Sequence, residues 1–281
     1  MIGNKERGSE MGILQSKPPL RKELARLKKQ EERYLAQRTE EREPIWNRLL
    51  AEKVPEKLQE TLHTAFAKAF RLVFEKGTGL IEKTYAKERL ERESQVDAAA
   101  VQILQDKKSL RTVPKKAAGA GRRNALLSGT TGIGLGALGV GIPDIPLFAA
   151  LLLKTVYETA LRYGFSYDTP EEKILVLLLI RGGIVTGPEL TALDRTVNRF
   201  LATGNWPEGT EPDGVLEETA RALAEELLYL KFLQGVPLVG VVGGAYDGIC
   251  LNHVARYAEL KYRRRFYLGQ VRNMAGKSAG M

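Results

Sequence analysis

Apolar residues recur every three to four positions along most of the chain, and in two places that rhythm gives way to continuous apolar, glycine-rich runs. The clearest amphipathic pattern follows Pro55, where Leu58, Leu62, Phe66, Phe70 and Phe74 recur every four residues beside Ala65, Ala69 and Val73. A proline in the first turn and Gly77 at the end bound this segment as a helix. A further helix is expected from about Leu80 to Lys107, charged on one side and carrying Ile81, Tyr85, Val96, Ala100, Ile103 and Leu104. Leu153 to Tyr163 reads as another, closed by Gly164. Thr169 is a candidate N-cap, with Pro170 at the first helical position and Glu171 and Glu172 in the first turn, where the helix dipole favours acids. The segment it launches, KILVLLLI, is apolar on every face, so it must be buried, yet it is too short to cross a bilayer. A turn-rich loop from Gly204 to Gly214 precedes a last amphipathic helix, Leu216 to Phe232.

Nearer the N-terminus, Leu20, Leu24, Leu27 and Tyr34 form a narrow stripe in a highly charged stretch, and the stripe lapses at Glu31 and Arg38 before Pro44 ends it. About two heptads are too few to require a coiled coil, so a solvated helix or a partly ordered extension is expected. No stretch alternates with the period of a strand, and no hairpin turn signal occurs. The fold class is therefore all-α, a helical bundle around two glycine-rich apolar helical segments. Residues 1–43 form a charged, partly helical or disordered extension in this reading, and 44–281 the helical domain.

The first glycine-rich run, Asn124 to Leu153, has Asp144 as its one charged residue. It is either a membrane-seeking element or the central buried helices of a soluble bundle. Gly132 and Gly136 lie four apart, as do Gly240, Gly244 and Gly248 in the second run, Val236 to Leu251. Glycines so spaced let another backbone approach closely, which makes these five candidate helix-packing positions. The break Pro143-Asp144-Ile145-Pro146 reverses or kinks the chain and leaves arms of roughly eighteen and seven to ten residues. The first arm would be about 27 Å long as a helix, near the hydrocarbon thickness, and the second spans about half of it unless its amphipathic continuation is included. That asymmetry argues against a regular two-pass hairpin and leaves a half-inserted hairpin or a buried one.

Charge narrows the choice of partner. Lys and Arg outnumber Asp and Glu by 43 to 34 and the pI is near 9.5, which fits an anionic partner. Seven bases, Lys107, Lys108, Arg111, Lys115, Lys116, Arg122 and Arg123, precede the first apolar run with no acid among them, and Arg263, Arg264 and Arg265 follow the second. Bases beside an apolar run hold it to an anionic leaflet, each contributing about 1 kcal/mol near the surface. The alternative for residues 107–123 is a solvated basic loop. Apart from KYRRRFY the clusters lack interleaved aromatics, which argues against nucleic acid. A single cysteine, Cys250, excludes an intramolecular disulfide and any multi-cysteine metal site and fits a reducing compartment. The N-terminal residues hold no apolar core of the length a secretory signal needs. Met11-Gly12-Ile13-Leu14-Gln15-Ser16 matches the myristoylation pattern if translation starts at Met11.

Candidate chemistry is sparse. Gly134 to Gly139 spells GxGxxG, but a dinucleotide site needs a preceding strand and an unbroken helix, and Pro143 and Pro146 cut the helix here. No cofactor and no metal is expected. His63 stands beside its apolar stripe without ligand-spaced companions. Cys250 and His253 share a helix face, but an apolar glycine-rich helix is a poor place to expose a nucleophile. Asp144 and Asp247 are isolated acids in apolar runs, where burial raises the pKa or demands a partner such as Arg181 or a base of the C-terminal segment. Each is a candidate functional or structural acid.

Taken together, VPEKLQETLHTAFAKAF, the glycine-rich GIGLGALGVGIPDIPLFAALLLKTVYETALRYGF, PEEKILVLLLI and VPLVGVVGGAYDGICLNHVARYAELKYRRRF resemble the EcsC family over about Val54 to Tyr267. These are helical bacterial proteins named after a gene beside the components of an ABC transporter. The most specific pieces are IPDIP and the closing Ala258 to Phe266, A-x-x-x-Y-[KR]-[KR]-R-F. One departure is Asp247, where the family pattern carries Asn. The resemblance implies no catalytic residues. It implies a cytoplasmic protein at the inner membrane face, working with an ABC transporter or other membrane protein or with a secretion system. The rival expectation is an uncharacterised hydrolase with a site near the glycine-rich helices.

Overall fold

The all-apolar segment KILVLLLI becomes the centre of the molecule. In the computed structural model, which describes residues 18–39, 54–74, 78–83, 85–117, 145–233 and 243–279, the described residues contain no strand. The helices are α1 (Pro18–Ala36), α2 (Glu56–Leu72), α3 (Thr78–Glu82), α4 (Lys87–Leu104), α5 (Ile145–Arg162), α6 (Pro170–Gly182), α7 (Gly187–Thr203), α8 (Pro212–Leu233) and α9 (Gly243–Ala279), with a further helical stretch at 107–117. The all-α expectation holds.

α6 starts as its sequence dictates. Thr169 caps it, its hydroxyl accepting from the Glu172 backbone N–H at 3.3 Å, and Pro170 occupies the first turn. Residues 174–180 are each 5% exposed or less, because α5, α7, α8 and α9 all pack against this helix. A helix apolar all round is stable only when surrounded in this way.

α5 answers half of the question posed by the first glycine-rich run. Residues 145–153 run on into the continuation expected over Leu153 to Tyr163. They open one continuous helix whose Phe148, Leu152, Leu153 and Val156 are buried against α2, α4, α6 and α9. Gly164, at φ +79°, then turns the chain in a backbone region that side chains disfavour. Residues 118–144, with Asp144, Gly132 and Gly136, lie outside the described residues, as do Gly240 and the rest of 234–242. Among the described residues no helix is long and apolar enough to cross a membrane.

The helix expected over 80–107 is broken instead. α3 ends at Glu82, and α4 begins at Lys87 after a turn held by polar groups. Tyr167 donates its hydroxyl to Glu82 Oε1 at 2.6 Å, Lys87 reaches the same oxygen at 2.7 Å, and the Tyr85 and Tyr167 hydroxyls lie 2.7 Å apart. The inward face of α4 is also different from the expected one. Leu90, Ser94 and Val101 are buried, while Val96, Ile103 and Leu104 point out. Gln105, at φ +49°, ends the helix, and Asp106 caps the next stretch by accepting from the Ser109 N–H at 2.7 Å. Residues 107–117 are therefore an ordered helical stretch rather than a loop, fixed by buried Leu110, Val113 and Ala117.

The N-terminal stripe is packed into the bundle. Leu20, Leu27 and Tyr34 are buried, and α1 lies along α9. At the far end of the same interface Gly182 and Gly183 allow the end of α6 to meet α9 closely. A Cβ on Gly183 would stand 2.5 Å from the Val254 Cα, and one on Gly182 would enter the Tyr257 ring. Sequence spacing nominated other glycines for this role and missed these two.

Candidate functional site

The densest chemistry in the described residues lies on α9 between Tyr257 and Phe266, the segment that ends the family-like motif. Lys261 is its centre, 1% exposed. Its ammonium lies 2.9 Å from Glu31 Oε1, 2.7 Å from Asp194 Oδ1 and 2.9 Å from the Asn198 side-chain oxygen. Three acceptors thus match the three donors of an ammonium group. Tyr257 donates to Asp194 at 3.0 Å, and Asn198 donates to the other Asp194 oxygen at 2.7 Å. Arg264 closes the cluster with a two-pronged pair to Glu31, which also engages the second Glu31 oxygen. Glu31 comes from α1, Asp194 and Asn198 from α7, and the cations from α9, so one polar cluster pins three helices.

The titration of these groups follows from their surroundings. Burial alone would raise the Glu31 carboxyl, but Arg264 and Lys261 outweigh it and hold the pKa below the ordinary glutamate value. Burial depresses the Arg264 guanidinium, yet Glu31 more than compensates and keeps it raised. Tyr257, buried beside Asp194, is pushed well above its usual range and stays a neutral donor.

Two further pairs extend the cluster. Arg265 grips Glu172 at 2.5 and 2.8 Å, and its guanidinium lies over the Phe165 ring at 4.3 Å from the centroid. Arg263 pairs with Glu259 and Gln30, while Tyr163 donates to Glu259 at 3.0 Å. The three arginines nominated as anionic-surface contacts therefore face internal carboxylates. Arg111 and Lys116, from the other nominated cluster, pair with Glu23 and Asp97. Lys107, Lys108 and Lys115 are exposed, and Arg122 and Arg123 lie outside the described residues.

The remaining candidates separate. Gly244 and Asp247 fall in the first turns of α9, where side-chain surroundings are outside the description, and Gly248 is half-buried. Arg181, offered as a partner for the isolated acids, is instead held by Glu189 and Glu218 at the edge of an open groove between α7 and α8. Cys250 is buried. Burial, with Arg38 nearby, pushes His253 down to about 4, so its imidazole is neutral but too weakly basic to activate a thiol at neutral pH. His63 reaches Glu217 Oε2 at 2.8 Å.

Sequence reasoning did not find Glu31, Asp194 or Lys261. A signal for Glu31 was present, since a carboxylate at the lapse of an otherwise apolar stripe must either be solvated or meet a buried cation. Arg38, the second lapse, donates to the carbonyls of Ile184 and Val185 at 2.8 and 3.1 Å. No curated protein and no solved structure matches the chain. The sequence model of the EcsC protein family matches residues 20–267, so it takes in both the α1 stripe and the α9 cations that the stripe meets. The chain belongs to the EcsC protein family.

Proposed function

We propose that the chain is a non-enzymatic accessory protein that works at the cytoplasmic face of a membrane, beside a transporter or secretion system. The observation that carries this reading is the helical stretch 107–117. Its apolar side is anchored by Leu110, Val113 and Ala117, and Tyr267 donates to the Leu110 carbonyl at 3.2 Å. Lys107, Lys108 and Lys115 are thereby held outward on a fixed frame, directly ahead of the apolar run that begins at Asn124. An ordered row of ammonium groups is an electrostatic anchor for anionic headgroups. Arg263, Arg264 and Arg265 of α9 serve the internal clamp instead.

Membrane fractionation tests the reading. Sedimentation with membranes at low salt and partial release by high salt are expected, with carbonate distinguishing adsorption from insertion. A chain wholly soluble at low salt would contradict it. For the hydrolase alternative, the buried Cys250 and the weakly basic His253 offer little support. Asp144→Asn and Asp247→Asn variants that fold normally but lose a hydrolytic activity would restore it.

A further inference from the structure

α4 turns an apolar face away from its own bundle. Val96, Ile103 and Leu104 are 68%, 79% and 61% exposed, although the opposite face of the same helix buries Leu90, Ser94 and Val101. At helical spacing Val96, Ala99, Ala100 and Ile103 share one outward stripe, with Leu104 at its edge. Scattered exposed leucines are ordinary, but three large apolar side chains on two turns of one helix are a patch. The C-terminal end of the patch is basic, and the N-terminal end carries two arginines balanced by neighbouring carboxylates. Arg92 and Arg89 stand one and two turns before Val96 on the same side, in loose surface pairs with Glu88 at 4.0 Å and Glu93 at 3.6 Å. Lys107 and Lys108 are exposed just beyond Leu104. Asp106, between Leu104 and Lys107, is committed to capping the Ser109 N–H.

We propose that this face of α4 is where the protein meets lipid. α4 lies along an anionic membrane surface, with Val96, Ile103 and Leu104 entering the boundary between headgroups and acyl chains. Lys107 and Lys108 meet the lipid phosphates, and Arg89 and Arg92 exchange their loose carboxylate pairs for the same contact. An apolar stripe flanked by Arg and Lys is the pattern of a helix that rests in the interface without spanning it. A second copy of the chain fits less well, because the patch exposes on the order of a few hundred Å². A standard interface needs about 800 Å² from each partner. The inference rests on the membrane-surface reading and gives it a location.

Flotation of the full chain with vesicles of phosphatidylcholine alone, or with one third phosphatidylglycerol, tests it. The wild-type chain is expected to float with the anionic vesicles. Ile103→Asp with Leu104→Asp should lower its partition at least tenfold without changing the thermal midpoint, since both side chains are already in water. Leu72→Asp, at another exposed leucine, should float as the wild type does. Lys107→Gln with Lys108→Gln provides an independent variant whose loss of binding should be largest at low salt. Unchanged flotation of both double variants would overturn the assignment of this face while leaving the membrane reading intact. Failure of the wild-type chain to float would overturn both. Loss of self-association in the aspartate variant with flotation unchanged would assign the face to a second copy and overturn the lipid site.

Discussion

At the scale of single residues, Lys261 bears the heaviest consequence. Its ammonium is sealed between two carboxylates on two other helices, and removing one partner of a buried pair leaves charge uncompensated. Lys261→Met should therefore cost about 3–5 kcal/mol in denaturant unfolding. Adding Asp194→Asn should recover part of that loss, because Arg264 still neutralises Glu31 and no carboxylate is then left without a cation. His253 gives a pH signature. Its folded pKa is pushed down to about 4, so as pH falls below 6.5 the unfolded chain takes up a proton that the folded chain refuses. Stability should fall with pH between 6.5 and 4, and His253→Gln should flatten that limb of the profile. Glu31 acts lower, its contribution present above about 4.5 and lost as pH falls through its depressed folded value. Gly183→Ala should destabilise by about 1–3 kcal/mol, since the new methyl group meets the Val254 backbone rather than a side chain that can swing away.

At the scale of elements, what was legible follows the strength of the pattern. α6 was readable end to end because its cap, proline, acids and apolar run agree. α2 was readable from its four-residue repeat, and the expected stop at Gly77 lies outside the described residues. α4 was misread in face and in start, because alanines and isolated aliphatics on both sides leave its amphipathicity weak, and Glu82 and Tyr85 ahead of it are held by Tyr167, far away in sequence. α1 was read as an extension because a charged position in a stripe looks like its end. Its partner, Lys261, lies 230 residues away, and only the fold joins them. Deleting residues 1–39 should therefore not trim a tail. It should expose Lys261 and the α9 face, and the truncated chain should lose its cooperative thermal transition.

At the scale of the whole molecule, charge is divided between two tasks. Lys261, Arg264 and Arg265 of α9 face carboxylates of other helices and fasten α1, α6 and α7, while Lys107, Lys108 and Lys115 and the outward face of α4 are exposed. Net charge of +9 showed that an anionic partner was worth seeking, but could not show which bases were free to meet it. The two clusters look alike in sequence and differ only in what the fold sets opposite them. Hydrogen–deuterium exchange of the full chain, with and without anionic vesicles, tests this division most directly. The account predicts added protection over 96–117 in the presence of vesicles, with residues 257–266 slow to exchange in both conditions. Vesicle-dependent protection centred on 257–266, with 96–117 unchanged, would contradict it.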